Sequence, residues 1–266
     1  MSAFGKIRFD IARVQQLPTI SVVITTAPGF QAQVAEIVRQ LGGQVTGQSR
    51  TTTVLTANIP TRILNQLAAL VQVSAVDLDT TFRTFQGIGL FPALEGPIEI
   101  RLDSTVFPSE VAEHIKSEDS VNRGFDGRGI RVAVVDTGIF PRGDIRVAAR
   151  RSFVEGERAG ENGHGTAVAD MVQSIAPGAD IIDIHVLDSL GVADFGTLVK
   201  GLEAAVLDEK ADVVNMSWGS AIPFPPFQPI IQELRSKGVN LIAAAGNFVP
   251  GPFSIASPSD LPGVNS

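Results

Sequence analysis

The sequence predicts an α/β protein, a doubly wound and mainly parallel sheet preceded by a small α+β module. Three observations carry that reading. Residues 18 to 79 follow the order βαββαβ, short apolar strands alternate with helical stripes from Ile130 onward, and the stretch between them loses periodicity. With 266 residues and 44% apolar composition, the chain can fill one large core or two modest ones.

The first module opens on Ile20–Thr25, a β-branched strand followed by the turn Pro28-Gly29. Val34, Ile37, Val38 and Leu41 recur at helical spacing and stop at Gly42-Gly43. Val45–Gln48 and Thr52–Ala57 read as two further strands. Ile63, Leu64, Leu67, Leu70 and Val71 mark a second helix with Pro60 near its start, and Val73–Leu78 is the last strand. This is the split arrangement of a ferredoxin-like fold. It contains no His and no Cys, which suits a binding or folding partner better than an enzyme.

The expected division is an N-terminal extension at 1–17, the module at 18–85, a linker with a lead-in helix at 86–119, and a larger unit at 120–266. Gly87, Gly89, Pro92, Gly96, Pro97 and Pro108 mark the linker, with Ile98–Leu102 as a short strand inside it and Glu110–Lys116 as the helix. Asn122–Gly129 reads as a turn. Val132–Val135 then forms a continuous apolar strand, the kind a parallel sheet buries on both faces. A helix follows His164, strands run through Ile181–His185, Val213–Met216 and Val239–Ala244, and Leu198, Val199, Leu202, Ala205 and Val206 form a helical stripe. A last helix near Ile230–Ser236 ends at Gly238. Repeated βα crossovers of this kind put helices on both faces of the sheet.

Composition removes several function classes. The net charge of −7 is spread along the chain, so no basic face for nucleic acid is expected. No apolar run approaches the roughly 20 residues of a membrane span, so no membrane partner is expected either. Cys is absent, which excludes disulfides and a thiol nucleophile. Lys6, Arg8, Asp10 and Arg13 interrupt the N-terminus, so no signal peptide is visible and the compartment stays open.

In a parallel α/β sheet, chemistry gathers at the carboxyl ends of the strands. Three polar residues fall there. Asp136 ends Val134-Val135-Asp136-Thr137-Gly138, His164 stands between glycines at a helix start, and Asn247 follows Ala243-Ala244-Ala245-Gly246. An Asp can orient one imidazole nitrogen while the other acts as base, and an Asn amide can donate to a developing oxyanion. Each alone has a plainer reading, as a cap, a core histidine or a turn residue. Asp136-Thr137-Gly138 also fits the active-site loop of aspartic proteases. Those need two such loops on all-β lobes, whereas here the loop occurs once and in a βα setting.

With these motifs in family order, the chain resembles a subtilase, a subtilisin-like serine protease with its N-terminal propeptide. The resemblance rests on Arg131-Val132-Ala133-Val134-Val135-Asp136-Thr137-Gly138, Asn162-Gly163-His164-Gly165-Thr166, Ile175-Ala176-Pro177-Gly178, Val213-Val214-Asn215-Met216-Ser217-Trp218-Gly219 and Ala244-Ala245-Gly246-Asn247. It implies that Asp136 orients, His164 is the general base and Asn247 stabilises the oxyanion. It further implies that Ser217, Trp218 and Gly219 pair with substrate backbone and wall the specificity pocket opposite Ala244, Ala245 and Gly246. Residues 18–85 would be a propeptide bound in cis with Phe85 before the processing site. Polypeptide substrates and secretion complete what the resemblance implies; no cofactor is expected, calcium alone being left open.

The departures are informative. No serine stands in the Gly-Thr-Ser-Met-Ala-like context of the family's nucleophile, so the chain is expected to stop before it and to be inactive as given. A non-catalytic binding or inhibitory pseudoprotease is the alternative. Only Met171 to Ser174 separate the His164 helix from Ile175-Ala176-Pro177, so the loop that often binds calcium is expected to be absent and no metal ligand is assigned. Asp170 puts a carboxylate on that helix, costly unless paired. Trp218 reads equally as a substrate platform or as packing, and His114 and His185 as surface or core residues.

Overall fold

A computed structural model describes residues 5–84, 108–247 and 255–266. The N-terminal unit is built from β1 (Thr19–Thr26), α1 (Gln31–Gln40), β2 (Gln44–Gln48), β3 (Val54–Pro60), α2 (Leu64–Ala69) and β4 (Val73–Leu78). Its sheet runs β2-β3-β1-β4 with every pair antiparallel, the split βαββαβ order expected from the sequence. Side chains alternate along β1. Val22 and Ile24 enter the core under α1 and α2, while Val23 joins the core of the larger unit. The N-terminal arm adds Ile7 and Val14 to the small core, and Arg8 pairs with Asp77.

Among the boundaries that differ from expectation, two have a clear local cause. β3 starts at Val54 and not Thr52, because Ser49–Thr52 form a loop held by a carboxylate from the other unit. The second helix stops at Ala69 after a 3-10 turn at Thr61–Ile63, leaving Val71 86% exposed and outside the stripe. Past the last expected strand the module adds a further one, β5 (Thr81–Thr84), and Ile98–Leu102 lies outside the described residues.

Two short helices follow, α3 (Pro108–His114) and α4 (Ser117–Asn122). The second unit comprises β6 (Arg131–Asp136), β7 (Val147–Ser152), α5 (His164–Ile175), β8 (Asp180–His185), β9 (Val192–Asp194), α6 (Phe195–Glu203), β10 (Val213–Met216), β11 (Trp218–Gly219), α7 (Phe227–Ser236) and β12 (Asn240–Ala243). Five strands form one parallel sheet in the order β12-β10-β6-β8-β7. Ala133, Val135, Ile182 and Ile184 face α6 and α7, whereas Val134 and Ile181 face α5. Helices therefore cover both faces, as a doubly wound sheet requires. β7 escaped sequence reading because its residues, Val-Ala-Ala-Arg-Arg-Ser, sit on the sheet edge and are half-exposed or exposed.

The two units meet along α6. Glu203, 1% exposed, accepts hydrogen bonds from the Ser49 hydroxyl at 2.6 Å, the Arg50 amide at 2.9 Å and the Thr51 hydroxyl at 2.9 Å. Arg50 forks onto Asp208 with both contacts at 2.9 Å. A buried carboxylate is tolerated when donors surround it, and here most of those donors belong to the other unit.

Candidate active site

Asp136 ends β6 with its side chain fully buried, and His164 opens α5. Asp136 Oδ1 accepts the Thr137 amide and lies 2.7 Å from both that nitrogen and His164 Nδ1. Assigned from this partner, the ring hydrogen sits on Nδ1 and the lone pair on Nε2, the tautomer of a base. The local sequence is what allows the approach. Gly163 has φ 84°, a left-handed turn into the helix. A methyl at Gly165 would stand 2.6 Å from the Gly138 carbonyl oxygen, so only glycine lets α5 close on the Asp-Thr-Gly loop. The Gly165 amide donates to Thr137 Oγ1 at 3.0 Å and the Phe140 amide to Thr166 Oγ1 at 2.8 Å, lacing the two together.

Asn247 is exposed and lies beyond the carboxyl end of β12, across β10 from Asp136 and on the same sheet edge. Ala244, Ala245 and Gly246 lead to it. The Ala244 amide donates to Met216 O at 3.1 Å and Ala245 O accepts the Ala256 amide at 2.8 Å. Ser217 Oγ accepts from Asn215 Nδ2 at 2.9 Å.

Trp218 and Gly219 form β11, and here the fold supplies what the sequence did not announce. β5 lies between β11 and β9, antiparallel to both, with Trp218 opposite Thr84, Gly219 opposite Arg83 and Ala193 opposite Phe82. Phe82 is fully buried, its ring edge-on to Trp218, Phe224 and Phe227 at centroid distances of 6.0, 5.4 and 5.1 Å. Phe195 closes the far side, 4.8 Å from Phe227. Trp218 is itself fully buried and donates from Nε1 to Val135 O at 2.7 Å, so its ring packs and its backbone pairs.

The Asp183 carboxylate and its Arg150 partner were missed, while His185, read as a surface or core residue, lies in the core. Asp183 and His185 are each 1% exposed on β8, and Arg150 on β7 reaches Asp183. The signal was present in Ile182-Asp183-Ile184-His185, a polar alternation in a strand that should be apolar on both faces. Burial pushes the Asp183 carboxyl up to about 6 and the His185 imidazole down. His185 Nδ1 lies 3.0 Å from Ser152 Oγ, and His114 is exposed. Asp79, at the junction of the units, accepts the Phe195 amide at 3.3 Å, and burial with help from Asp194 raises it to about 6. Asp170 is paired, 2.7 Å from Arg142, which also grips Asp144. One guanidinium thus bridges both carboxylates. Among the described residues, no group of three His, Asp or Glu could hold a metal ion, and no helix is long and apolar enough to cross a membrane.

Comparison with known proteins points to one family. A family model described as "Subtilase family" matches residues 127–265, just over half of the chain. The thermostable alkaline protease of Halalkalibacterium halodurans is 33% identical over 166 residues, covering 58% of this chain and 45% of its own length. Alkaline elastase YaB of a Bacillus strain is 29% identical over 237 residues, 84% of this chain and 61% of its own. Subtilisin Savinase of Lederbergia lenta is 35% identical over 144 residues, covering 50% and 53%. The chain therefore spans about half the length of the curated relatives it matches. It belongs to the subtilase family.

Proposed function

We propose that this chain carries the orienting acid, general base and oxyanion donor of a serine endopeptidase, together with the propeptide that occupies its substrate groove. The observation that supports this best is β5. It enters the parallel-sheet unit as an extended peptide would, hydrogen-bonded on both edges and anchored by one aromatic side chain. Residues 18–85 are the propeptide bound in cis, and Phe85 is the residue before the processed bond. The matching relatives support polypeptides as substrates, and the family resemblance supports export from the cell.

The chemistry follows from the Asp136–His164 contact. Asp136 fixes the ring with Nδ1 protonated and stabilises the imidazolium. His164 Nε2 removes the proton from a serine hydroxyl as it attacks the peptide carbonyl, then passes it to the leaving amine. Asn247 donates to the oxygen that becomes negative, an interaction worth roughly 2.7–4 kcal/mol where one such donor has been removed. Ser217-Trp218-Gly219 holds the substrate strand, and Ala244-Ala245-Gly246 forms the other wall of the side-chain pocket.

No serine of these 266 residues is assigned the nucleophile. Ser257 Oγ accepts the Phe224 amide at 3.3 Å and Ser259 Oγ donates to Ala243 O at 3.4 Å, both structural uses. The 266-residue chain is therefore expected to hydrolyse no fluorogenic peptide and to keep its 85/86 bond intact by mass spectrometry. Turnover abolished by a serine-directed phosphonate would overturn this. A binding or inhibitory pseudoprotease is the second reading, favoured by the same filled groove. The coding sequence beyond Ser266 separates the two, since a Gly-Thr-Ser at a helix start supports the endopeptidase.

A further inference from the structure

The face of the sheet beneath α5 is apolar at Val134 and Ile181 but polar toward its carboxyl edge. Two cross-strand rows explain this. Arg150, Asp183 and Val134 stand side by side on β7, β8 and β6, and Ser152, His185 and Asp136 form the next row of the same face. Asp183 is thus a diagonal neighbour of Asp136, one strand over and one row back. Arg150 Nη1 donates to Asp183 Oδ2 at 2.6 Å and to the Ile139 carbonyl at 2.7 Å. That carbonyl belongs to the loop running from Asp136 to the residues laced to α5. The two buried carboxylates each leave one oxygen, Asp136 Oδ2 and Asp183 Oδ1, without a donor among the described residues. Such oxygens keep their negative potential for whatever cation lies nearest.

We propose that Asp183 and Arg150 are positioning residues for the Asp136–His164 pair. Arg150 ties the loop behind Asp136 to β8, and the Asp183 carboxylate adds its charge beneath the pair. The inference rests on reading His164 as the base. A parallel strand buried on both faces gains nothing in packing from a carboxylate, and an aliphatic residue would fill that place at lower cost. What Asp183 contributes is charge. Ionised, it favours the imidazolium of His164, and Arg150 offsets part of that field while holding the carboxylate in place. The other groups facing this layer are His185 on the same strand, the Asp136 carboxylate on β6, and from α5 His164 itself and Asp170, which is paired with Arg142. Burial holds Asp183 near 6, so it is ionised over most of the range in which an imidazole works.

The experiment is an NMR titration of the His164 ring in the intact 266-residue chain, assigned by substituting His114 and His185. Asp183→Asn keeps the shape and removes the charge. It should lower the His164 midpoint by about half a pH unit or more, roughly threefold weaker proton binding. Arg150→Met should move the midpoint the opposite way and broaden the Nδ1-bound proton signal, and Arg150→Lys should restore the midpoint. Midpoints that stay still, or move together in one direction as general loosening would cause, overturn the proposal. Asp136→Asn is the control for the underlying reading. If it leaves His164 unchanged, the pair itself fails; if it lowers the midpoint and Asp183→Asn does not, only the present inference fails.

Discussion

The two halves of the molecule bury different kinds of side chain. The four-stranded unit encloses an aliphatic cluster, and its buried carboxylate, Asp77, is matched by Arg8 of the N-terminal arm. The parallel-sheet unit has an aliphatic and aromatic core as well, yet it also buries Asp136, Asp183, His185 and Glu203. Buried charge is expensive unless something holds it. Here Glu203 is held by the other unit, and Asp136, Asp183 and His185 gather at the carboxyl edge of the sheet. The difference separates a unit whose buried carboxylate is matched by a neighbouring arginine from one that gathers several buried polar groups at a single edge.

That contrast can be tested at the junction. Phe82→Ala should have the largest effect, about 3–5 kcal/mol in denaturant unfolding, because it empties the aromatic cage. Leu67→Ala in the small core should cost a similar amount. Only the Phe82 change, however, should also abolish hydrogen-exchange protection at the Thr84 amide, now bonded to Gly191 O at 3.0 Å. Equal exchange in the two variants would erase the distinction between the small core and the junction strand. Glu203→Ala comes next, at about 2 kcal/mol, since it strands buried donors of the Ser49–Thr51 loop. A loss seen equally with Glu36→Ala, an exposed partner of Arg39, would show that the buried contact has no special weight.

The smallest expected effect is on pH. Asp79 is raised to about 6 in the folded chain, so it binds protons more tightly there than when unfolded. Its contribution is fully present below its unfolded value, about 3.9, and is lost as pH rises through about 6. Denaturation midpoints should therefore show the units held more firmly at pH 5 than at pH 7.5. Part of that difference should vanish in Asp79→Asn. Asp183 acts in the same direction, so the comparison is made in the Asp183→Asn background.

Much of the site was legible because its parts lie close in sequence to features with local physical causes. Asp136 ends an apolar run long enough to be a buried strand, and glycines flank His164 where backbone must crowd the ring. Pairing needs no local cause, and that is where reading stopped. Thr81-Phe82-Arg83-Thr84 has no apolar period and is a strand only because β9 and β11 supply partners on both edges. The same holds for β7, an edge strand made of polar residues.

By itself the sequence determined most of the core strands and helices, the split and doubly wound architectures, and that Asp136 and His164 belong to one edge. Those are consequences of periodicity, chain reversal and the rule that parallel strands end together. Tertiary structure alone decided which strand lies between β9 and β11, which carboxylates are buried, and which groups face each of them. Such contacts join residues more than thirty, and in the case of Glu203 more than a hundred and fifty, positions apart. No local propensity encodes them, and they form only when the packed sheet removes water from both partners at once.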